Sequence, residues 1–402
     1  MPDSTDVPRS ALGTDNVTRL EYEGREILLV GTAHVSKRSV EEVRHVIRQV
    51  EPDAVCVELD ASRYEALMDE TQVSSFDVAE VVDQDRAGLF VASLLFAGFQ
   101  KQLGDRLGVK PGAEMAAAAE EALERGAKVV LADRNIRTTL LRCYESLGLV
   151  DRVRIGAILV MLPFAAADLD EVDVEALKNR ETMGDVMTTF ARQMPALQLP
   201  LIDERDRYLI ARIRETESAR IVAVVGAAHV PGMTRYLREP IDLDALDRVP
   251  AKTARTLHDF GLPFASLGLL ALAAFGPKAH AFSTAPAIAR LVAGVALPSA
   301  LVAALATVVA GGGAIAALAA FTTAPLTLAI PFLSLGKITG GLEARFRPAS
   351  HDDRLRARED VLVPKLARRN GLLRPLLAAV FAPMGRTLGA LIGVIWAVLQ
   401  LV

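Results

Sequence analysis

Residues 25–34 are REILLVGTAH, and residues 220–229 are RIVAVVGAAH. Each segment is a short apolar run that ends in Gly-x-x-His, which is typical of a buried strand followed by a tight turn into a helix. Two further apolar runs, 54–59 and 128–132, alternate with helical patterns along the same part of the chain. This alternation predicts an α/β fold, with a mixed or parallel sheet and a long helical insertion over residues 136–217.

Composition divides the 402 residues into segments of different character. Residues 1–17 are polar and lack the apolar stretch of a secretory signal, so we expect a disordered tail. Residues 18–240 form the predicted α/β domain, and residues 241–260 form a linker. Residues 261–402 are rich in Ala, Leu, Gly and Val. They predict an all-α transmembrane module in a multi-pass protein of the cell membrane.

The predicted membrane module contains about four hydrophobic helices, over 261–276, 291–310, 311–336 and 376–402. Prolines at 325 and 331 interrupt the third stretch. The strongly basic segment 337–375 belongs on the cytosolic side by the positive-inside rule. However, three spans between a cytosolic α/β domain and this basic segment would place the basic segment outside the cell. Either one stretch does not cross, or 311–336 forms two half-helices, or the α/β domain lies outside.

Charge and cysteine content exclude several classes of function. The formal net charge is -4, which is too small to indicate a nucleic-acid partner. The chain contains two cysteines, Cys56 and Cys143, far apart in apolar surroundings. We interpret both as buried free thiols, which excludes a zinc ribbon, a CxxC redox centre and a disulfide framework.

The two Gly-x-x-His loops indicate a functional site, because ligands of open α/β sheets bind beyond the carboxyl ends of the strands. Gly31 and Gly226 permit sharp turns and close approach of a ligand, and they place His34 and His229 at the same edge. Glu58 ends the apolar run 54–59, which lies between the two loops along the sequence. Two histidines and one carboxylate could hold a divalent transition metal such as Mn, Co, Zn or Fe. Alternatively, the histidines cap helices and Glu58 pairs with a nearby arginine, Arg63.

Other ionisable residues follow the same edge. Asp133 and Arg134 end the 128–132 strand, and Arg134 or Arg137 could bind a carboxylate or stabilise an oxyanion. Residues 201–208, LIDERDRY, precede a helix. Their acidic residues suit a helix N-terminus, and the alternative is a supporting role behind the histidines.

Several of these segments together resemble the TraB/PrgY family. They are GTAHVSKRSVEEV, VELDASRYEAL, FQKQLGDRLGVKPGAEM, VVLADRNIRTTL, LIDERDRYLIARI and VVGAAHVPGM, with LSLGKITGGLEA in the membrane part. The resemblance implies a membrane protein of the pheromone-shutdown type, which reduces the activity of a secreted peptide. The family is also similar to the Tiki and GumN proteins. Tiki proteins are metal-dependent proteases, which implies His34 and His229 as ligands or catalytic groups and Glu58 as their acidic partner.

Two hypotheses follow, and they differ in whether the protein is an enzyme. In the first, a metal-dependent peptidase holds the ion with His34, His229 and Glu58. Glu58 or Glu204 takes the proton and Arg134 steadies the oxyanion. In the second, the α/β domain binds a hydrophobic peptide without cleaving it, and the membrane module holds or signals it. The apolar stretches 89–99 and 155–167 motivate this hypothesis. The candidates for substrate binding are Arg63 and Arg137.

Two further expectations concern the membrane module. The small residues of 291–320 favour close helix packing within a chain or in a homo-oligomer. Transport along the proline-broken segment and Arg386 is a third and weaker hypothesis for function.

Overall fold

The computed structural model describes residues 16–32, 37–68, 78–83, 86–107, 112–148, 151, 154–155, 195–248, 268, 284–330 and 333–401. His34, most of the predicted tail, most of the helical insertion and all of the stretch 261–276 but residue 268 lie outside these ranges. The chain forms two compact units. The first comprises 1–74, 100–160 and 167–251, and the second comprises 75–99, 161–166 and 252–402.

The first unit contains a sheet and its covering helices. Its elements are β1 (Val17–Tyr22), β2 (Arg25–Thr32), α1 (Lys37–Val50), β3 (Ala54–Val57), α2 (Ala61–Met68), α5 (Ala113–Glu124), β4 (Lys128–Leu131), α6 (Ile136–Ser146), α7 (Pro195–Gln198), a π-helical turn (Leu199–Asp203), α8 (Glu204–Arg214), β5 (Arg220–Gly226), α9 (Val230–Tyr236) and α10 (Leu243–Asp247). The intervening α3 (Val78–Asp83) belongs to the second unit, and α4 (Ala87–Leu107) is divided between the two.

The strands of the first unit pair in the order β1-β2-β5-β3-β4. The pair β1–β2 is antiparallel and the other pairs are parallel, so the predicted mixed α/β sheet is confirmed. Gly31 pairs with Val225, and Thr32 pairs with Gly226. This register brings the ends of β2 and β5, at Thr32 and Gly226, to the same edge of the sheet, next to the end of β3.

Both faces of the sheet are buried, which explains why its parallel strands are continuous apolar runs. On one face, Val43 and Ile47 of α1 and Ala118 of α5 pack against the sheet. On the other face, Leu209 of α8 and Met233 of α9 do so. The site at the strand ends is therefore supported by a core on each side.

The second unit is helical in its described part. Its C-terminal elements are α11 (Ala285–Val309), α12 (Ala314–Ala329), α13 (Leu335–Phe346), α14 (His351–Asp360), α15 (Pro364–Ala367) and α16 (Leu373–Leu401). Two of them, α11 and α16, are long and apolar enough to cross a membrane. The predicted stretch 311–336 is divided into α12 and the start of α13, because the helical pattern stops at residue 330, next to Pro331.

Helices α11 and α16 pack side by side in opposite directions. Gly385, Gly389 and Gly393 of α16 lie directly on the backbone of α11, at progressively earlier positions of that helix. A side chain at Gly389 would collide with the carbonyl oxygen of Pro298. Glycines spaced by four residues therefore let the two backbones approach closely, as the small-residue composition predicts.

The second unit also includes α3 and the first part of α4, which fall within residues 18–240 of the predicted α/β domain. A Cβ atom at Gly340 of α13 would lie within 2.9 Å of the Val82 side chain, and one at Gly98 would collide with the Arg358 carbonyl oxygen. The apolar residues of 78–99 thus have their packing partners in the helical unit, far along the sequence.

Candidate active site at the carboxyl edge of the sheet

Three strand ends and one helix start place ionisable groups at the same edge of the first unit. Glu58 follows β3, Asp133 follows β4, and His229 follows β5. Arg205 lies in the first turn of α8, directly after the π-helical turn. All but Arg205 are less than 8% exposed.

The glycine of each loop allows the two loops to lie against each other. The Ala227 N–H donates to the Thr32 carbonyl oxygen at 3.0 Å. A Cβ atom at Gly31 would lie 3.2 Å from Ala227 Cα, which is tighter than an ordinary contact. The Gly226 N–H donates to Glu58 Oε2 at 2.7 Å. The two glycines and Glu58 therefore form the floor of the site.

His229 occupies the N-cap position of α9, but its side chain does not cap the helix. Its Nδ1 lies 2.5 Å from Asp206 Oδ1, and its Nε2 lies 3.3 Å from Arg205 Nη1. Because a guanidinium can only donate, Nε2 accepts and Nδ1 carries the proton toward Asp206. Burial raises the pKa of Asp206, although the hydrogen bond from His229 opposes this shift. Asp206 thus fixes the imidazole with its basic nitrogen turned toward the arginine.

Gly232 provides the space that Asp206 needs. A Cβ atom at this position would collide with the Asp206 carboxylate. The glycine of the H-V-P-G segment therefore has a different role from the glycines before the histidines. It lets the carboxylate rest on the first turn of α9, directly beneath the imidazole that it holds.

The Arg205 guanidinium is the central cation of the cluster. Its Nη2 lies 2.5 Å from both Glu58 Oε1 and Asp133 Oδ2, and its Nε donates to Asp133 Oδ1 at 3.2 Å. Burial alone would lower the pKa of Arg205, but Asp133 and Glu58 outweigh it and raise the pKa. Burial alone would raise the pKa of Asp133, but Arg205 and Arg63 hold it far below its usual range.

Arg63 forms the outer edge of the same network. Its Nη2 lies 2.5 Å from Asp133 Oδ2, and its Nε lies 3.0 Å from Asp60 Oδ2. Asp60 also accepts the backbone N–H groups of Arg63 and Ile136. The Arg63 side chain is 33% exposed, so this guanidinium reaches solvent. Arg63 therefore pairs with Asp60 and Asp133. The arginine that pairs with Glu58 Oε1 is Arg205, not Arg63 as the sequence suggested.

The structure places Arg134 and Glu204 in a separate buried network. The Arg134 guanidinium, which is fully buried, donates to Glu204 Oε2 at 2.8 Å and to the Pro200 and Leu246 carbonyl oxygens. Arg142 donates to both oxygens of Glu204. This network fastens the π-helical turn and α10 to the end of β4. Arg137 is exposed in the first turn of α6.

In the described part of the site, a guanidinium lies where the two predicted ligands Glu58 and His229 converge. Glu58 Oε1 and His229 Nε2 lie 3.4 Å apart, as two ligands of one ion could, but both face the Arg205 guanidinium. Among the residues that the structure describes, no group of three His, Cys, Asp or Glu side chains could hold a metal. The predicted ligand His34 lies outside those residues, so the predicted metal site stays a prediction.

Arg205 and Asp206 are the site residues that sequence reasoning did not single out. Both belong to the charged run 201–208, which was weighed as a helix start against a supporting role behind the histidines. The useful signal is that two oppositely charged residues follow each other at the start of an otherwise amphipathic helix, where Asp206 is buried and Arg205 is partly buried.

The fold and the site define a class of protein: a mixed α/β domain with a buried His–Asp–Arg–Glu cluster at its carboxyl edge, followed by a helical unit with two long apolar helices. The chain belongs to the TraB/PrgY/gumN family, whose model matches residues 16–240. A model for the C-terminal domain of TraB family proteins matches residues 262–402. The resemblance recognised in the sequence is thereby confirmed.

Relatives occur in archaea and mammals. An uncharacterized protein of Methanocaldococcus jannaschii is 31% identical over 376 residues, which cover 90% of this chain and 92% of the relative. A TraB domain-containing protein of Bos taurus is 29% identical over 282 residues, covering 63% of this chain and 74% of the relative. A TraB domain-containing protein of Homo sapiens is 29% identical over 261 residues, covering 58% and 69%.

Proposed function

We propose that this protein is a membrane-associated hydrolase that cleaves a peptide bond at the carboxyl edge of its sheet. The observation that carries the proposal is the His229–Asp206 pair. A buried carboxylate holds Nδ1, and the basic Nε2 is turned toward the strand ends. An imidazole oriented in this way is the commonest general base of hydrolytic enzymes.

The proposed reaction uses groups of this chain alone. A water molecule takes the place of the Arg205 N–H at His229 Nε2 and loses a proton to it. The resulting hydroxide forms a C–O bond with the scissile carbonyl carbon. The C–N bond then breaks as the imidazolium returns the proton to the leaving amine. Asp206 stabilises the imidazolium without taking its proton.

Arg205 is the group that we assign to the developing oxyanion. Its Nη1 lies 3.3 Å from His229 Nε2. Its pKa is raised above the ordinary value for arginine, so the guanidinium stays cationic at physiological pH. Arg134, for which the sequence suggested this role, is fully buried and bonded to Glu204 and backbone carbonyls. We therefore assign Arg134 and Glu204 to positioning α8, and Arg63, which reaches solvent, to binding the peptide.

Membrane association is the second part of the proposal. In α11 and α16, only 22% and 33% of the most apolar windows are buried. A core helix of a soluble protein would have most of its surface covered, whereas Leu301, Leu305 and Leu388 are each more than half exposed. Exposed apolar helices of this length suit a hydrocarbon environment.

A non-catalytic peptide-binding protein is the second candidate. One observation favours it: Glu58, Asp60 and Asp133 are all paired with Arg205 or Arg63, so the cluster is an ion network whose carboxylates already have partners. Such a network could position the exposed Arg137 and the outer edge of Arg63 to hold a peptide carboxylate without cleaving the chain.

The deciding experiment incubates the full chain in detergent with a library of quenched fluorescent octapeptides, and mass spectrometry locates new amino termini. We expect hydrolysis by the wild type and a loss of at least about 100-fold in His229→Gln, because a positioned general base contributes roughly 10²–10⁴ in rate. The matched control is His45→Gln, since His45 is exposed on α1.

Two outcomes would contradict the catalytic proposal. Cleavage that survives in His229→Gln with unchanged thermal unfolding would remove His229 as the base. Saturable peptide binding without any fragments would favour the second candidate. Elemental analysis of the same samples tests the metal prediction. About one transition ion per chain in the wild type, and none in His34→Ala/His229→Ala, would place the two Gly-x-x-His loops in a metal site.

A further inference from the structure

The turn between α11 and α12 is fastened to the charged segment that follows α13. The Gly313 N–H donates to Glu343 Oε2 at 2.8 Å, and Arg347 Nη1 donates to the Gly311 carbonyl oxygen at 3.3 Å. Arg368 Nη2 donates to the Val308 carbonyl oxygen at 3.3 Å. Glu343 is 2% exposed and is itself paired with Arg347. These contacts hold the end of α11 and the start of α12 against the segment between α13 and α16.

Arg374, in the first turn of α16, lies 3.7 Å from the same Glu343. Four helix ends therefore meet at one end of the second unit: the last turns of α11 and α13 and the first turns of α12 and α16. The same end carries the basic residues of the described segment. They are Arg345, Arg347, Arg354, Arg356, Arg358, Lys365, Arg368, Arg369 and Arg374. Lys337 is the exception in 337–375: it lies in the first turn of α13, 3.9 Å from Asp83. A concentration of arginine and lysine beside apolar helices marks the cytosolic surface of a membrane protein.

Helices α12 and α13 are too short to cross a bilayer. With a rise of about 1.5 Å per residue, their 16 and 12 residues span about 24 Å and 18 Å, against a hydrocarbon core of about 30 Å. Leu328, near the end of α12, clusters with Leu291 and Ala390. Leu335, at the start of α13, clusters with Ala382, which lies only about 14 Å along α16 from its first residue.

We propose that α12 and α13 form a re-entrant hairpin, which enters the bilayer from the basic side, turns inside the hydrocarbon and leaves on the same side. Of the described helices, α11 and α16 then cross completely. With the predicted stretch 261–276 as a further span, this arrangement removes the topological conflict in the sequence, because two spans rather than three separate the α/β domain from the basic segment. The inference rests on the membrane association in the proposed function and is independent of catalysis.

Arg386 explains how α12 can end within the hydrocarbon. The last carbonyl groups of a helix lack partners, and in a bilayer each one needs a donor. Arg386 Nη1 lies 3.1 Å from Thr327 Oγ1 and 3.5 Å from the Thr327 carbonyl oxygen, in the last turn of α12. A cation at the negative end of the helix dipole adds a favourable interaction. Arg386 is thus a positioning residue for the tip of the hairpin.

The test places single cysteines in the full chain with Cys56→Ala and Cys143→Ala, which removes the buried native thiols. The sites are Ala314→Cys at the α11–α12 turn, Asp352→Cys in the basic segment, Ile330→Cys at the hairpin tip, and Thr284→Cys and Gln400→Cys at the far ends. A membrane-impermeant maleimide labels spheroplasts and inverted membrane vesicles of the expression host, with and without detergent. Thermal unfolding in detergent confirms that each variant is folded.

We expect the cysteines at 314 and 352 to react from one face, and those at 284 and 400 to react from the other. The cysteine at 330 should react at least tenfold more slowly than these from either face until detergent is added. Labelling of 330 together with 284 and 400 would show a complete span and overturn the hairpin. Opposite sidedness of 314 and 352 would also overturn it. Extraction by carbonate, with all five sites reactive in intact vesicles, would instead refute the membrane association itself.

Discussion

At the scale of single residues, the contact between Gly232 and Asp206 offers a way to separate folding from function. Gly232→Ala places a methyl group on the Asp206 carboxylate, which must then move away from His229 Nδ1. Asp206 Cγ and Cβ also lie within 3.0 Å of that methyl position, so the whole side chain has to shift and the unfolding temperature measures the cost to the fold. If His229 is the base, we expect hydrolysis to fall by about 10–100-fold, since the imidazole loses its orientation.

The matched control for Gly232→Ala is Thr234→Ala, in the same helix, where the hydroxyl only donates to the carbonyl oxygen of Val230. The measurements are the rate of peptide cleavage and the unfolding temperature of both variants. Equal rates in Gly232→Ala and the wild type would show that the Asp206 contact does not matter for the reaction.

The sequence indicated the location of the site better than the hydrogen bonds and ion pairs within it. His229 and Glu58 could be located because each ends an apolar strand, and parallel strands end at the same edge. Arg205 could not be located in this way, because a helix start is defined only after α8 has packed against the sheet. The sequence suggested Arg63 as the alternative partner of Glu58, whereas the structure pairs Arg63 with Asp60 and Asp133.

At the scale of secondary-structure elements, Glu121 joins α1 to α5. Its buried carboxylate accepts hydrogen bonds from Arg48 at 2.8 Å and from Arg125 at 2.9 Å. The hydrogen bond from Arg48 is the largest cause that lowers the pKa of Glu121 from 4.5 to about 2. Because the pKa is lower in the folded state, this carboxylate stabilises the protein above pH 4.5, and the contribution is lost as the pH falls toward 2.

We therefore expect Glu121→Gln to unfold at a lower temperature than the wild type at pH 6, and the difference between them to shrink between pH 4.5 and pH 2.5. Glu120→Gln is the control. Glu120 is 48% exposed and pairs with Arg44, whereas Arg48 and Arg125 pair with Glu121. Thermal unfolding over this pH range measures the effect. A constant difference between wild type and Glu121→Gln would contradict the assigned ion-pair role.

The elements of the sheet were predictable, whereas the membership of α3 and α4 was not. Apolar runs bounded by glycine or charge predicted β2 and β5 closely. The residues of 78–99 are just as apolar, and local pattern alone assigned them to the nearest domain. Their partners, Gly340 and Arg358, lie more than 200 residues further along the chain. No periodicity within a short window carries that information.

At the scale of the whole molecule, the chain leaves the first unit, contributes 75–99 to the second and returns. A fragment of residues 16–251 therefore keeps α3 and the start of α4 but loses the residues on which they pack, such as Val380 and Leu362. We expect this fragment to aggregate or to require detergent. The same fragment with residues 75–99 replaced by a Gly/Ser linker should give more soluble monomer.

Size-exclusion chromatography without detergent compares the two fragments, and far-ultraviolet circular dichroism checks that the sheet is formed. Equal yields of monomer would mean that residues 78–99 need no partner from the helical unit.

This excursion of the chain also imposes an order on biosynthesis. Residue 99 is translated roughly 240 residues before α13 is complete. At about 5–20 residues per second, α3 and the start of α4 wait for about 10–50 s before their partners exist. The first unit can gather its strands during this time, because β5 is finished by residue 226. The second unit cannot be completed until nearly the whole chain has been made, because residues 75–99 pack against residues as late as Val380. These two parts of the second unit therefore meet last. Until then, the apolar residues of 78–99 have to be shielded from water by other means.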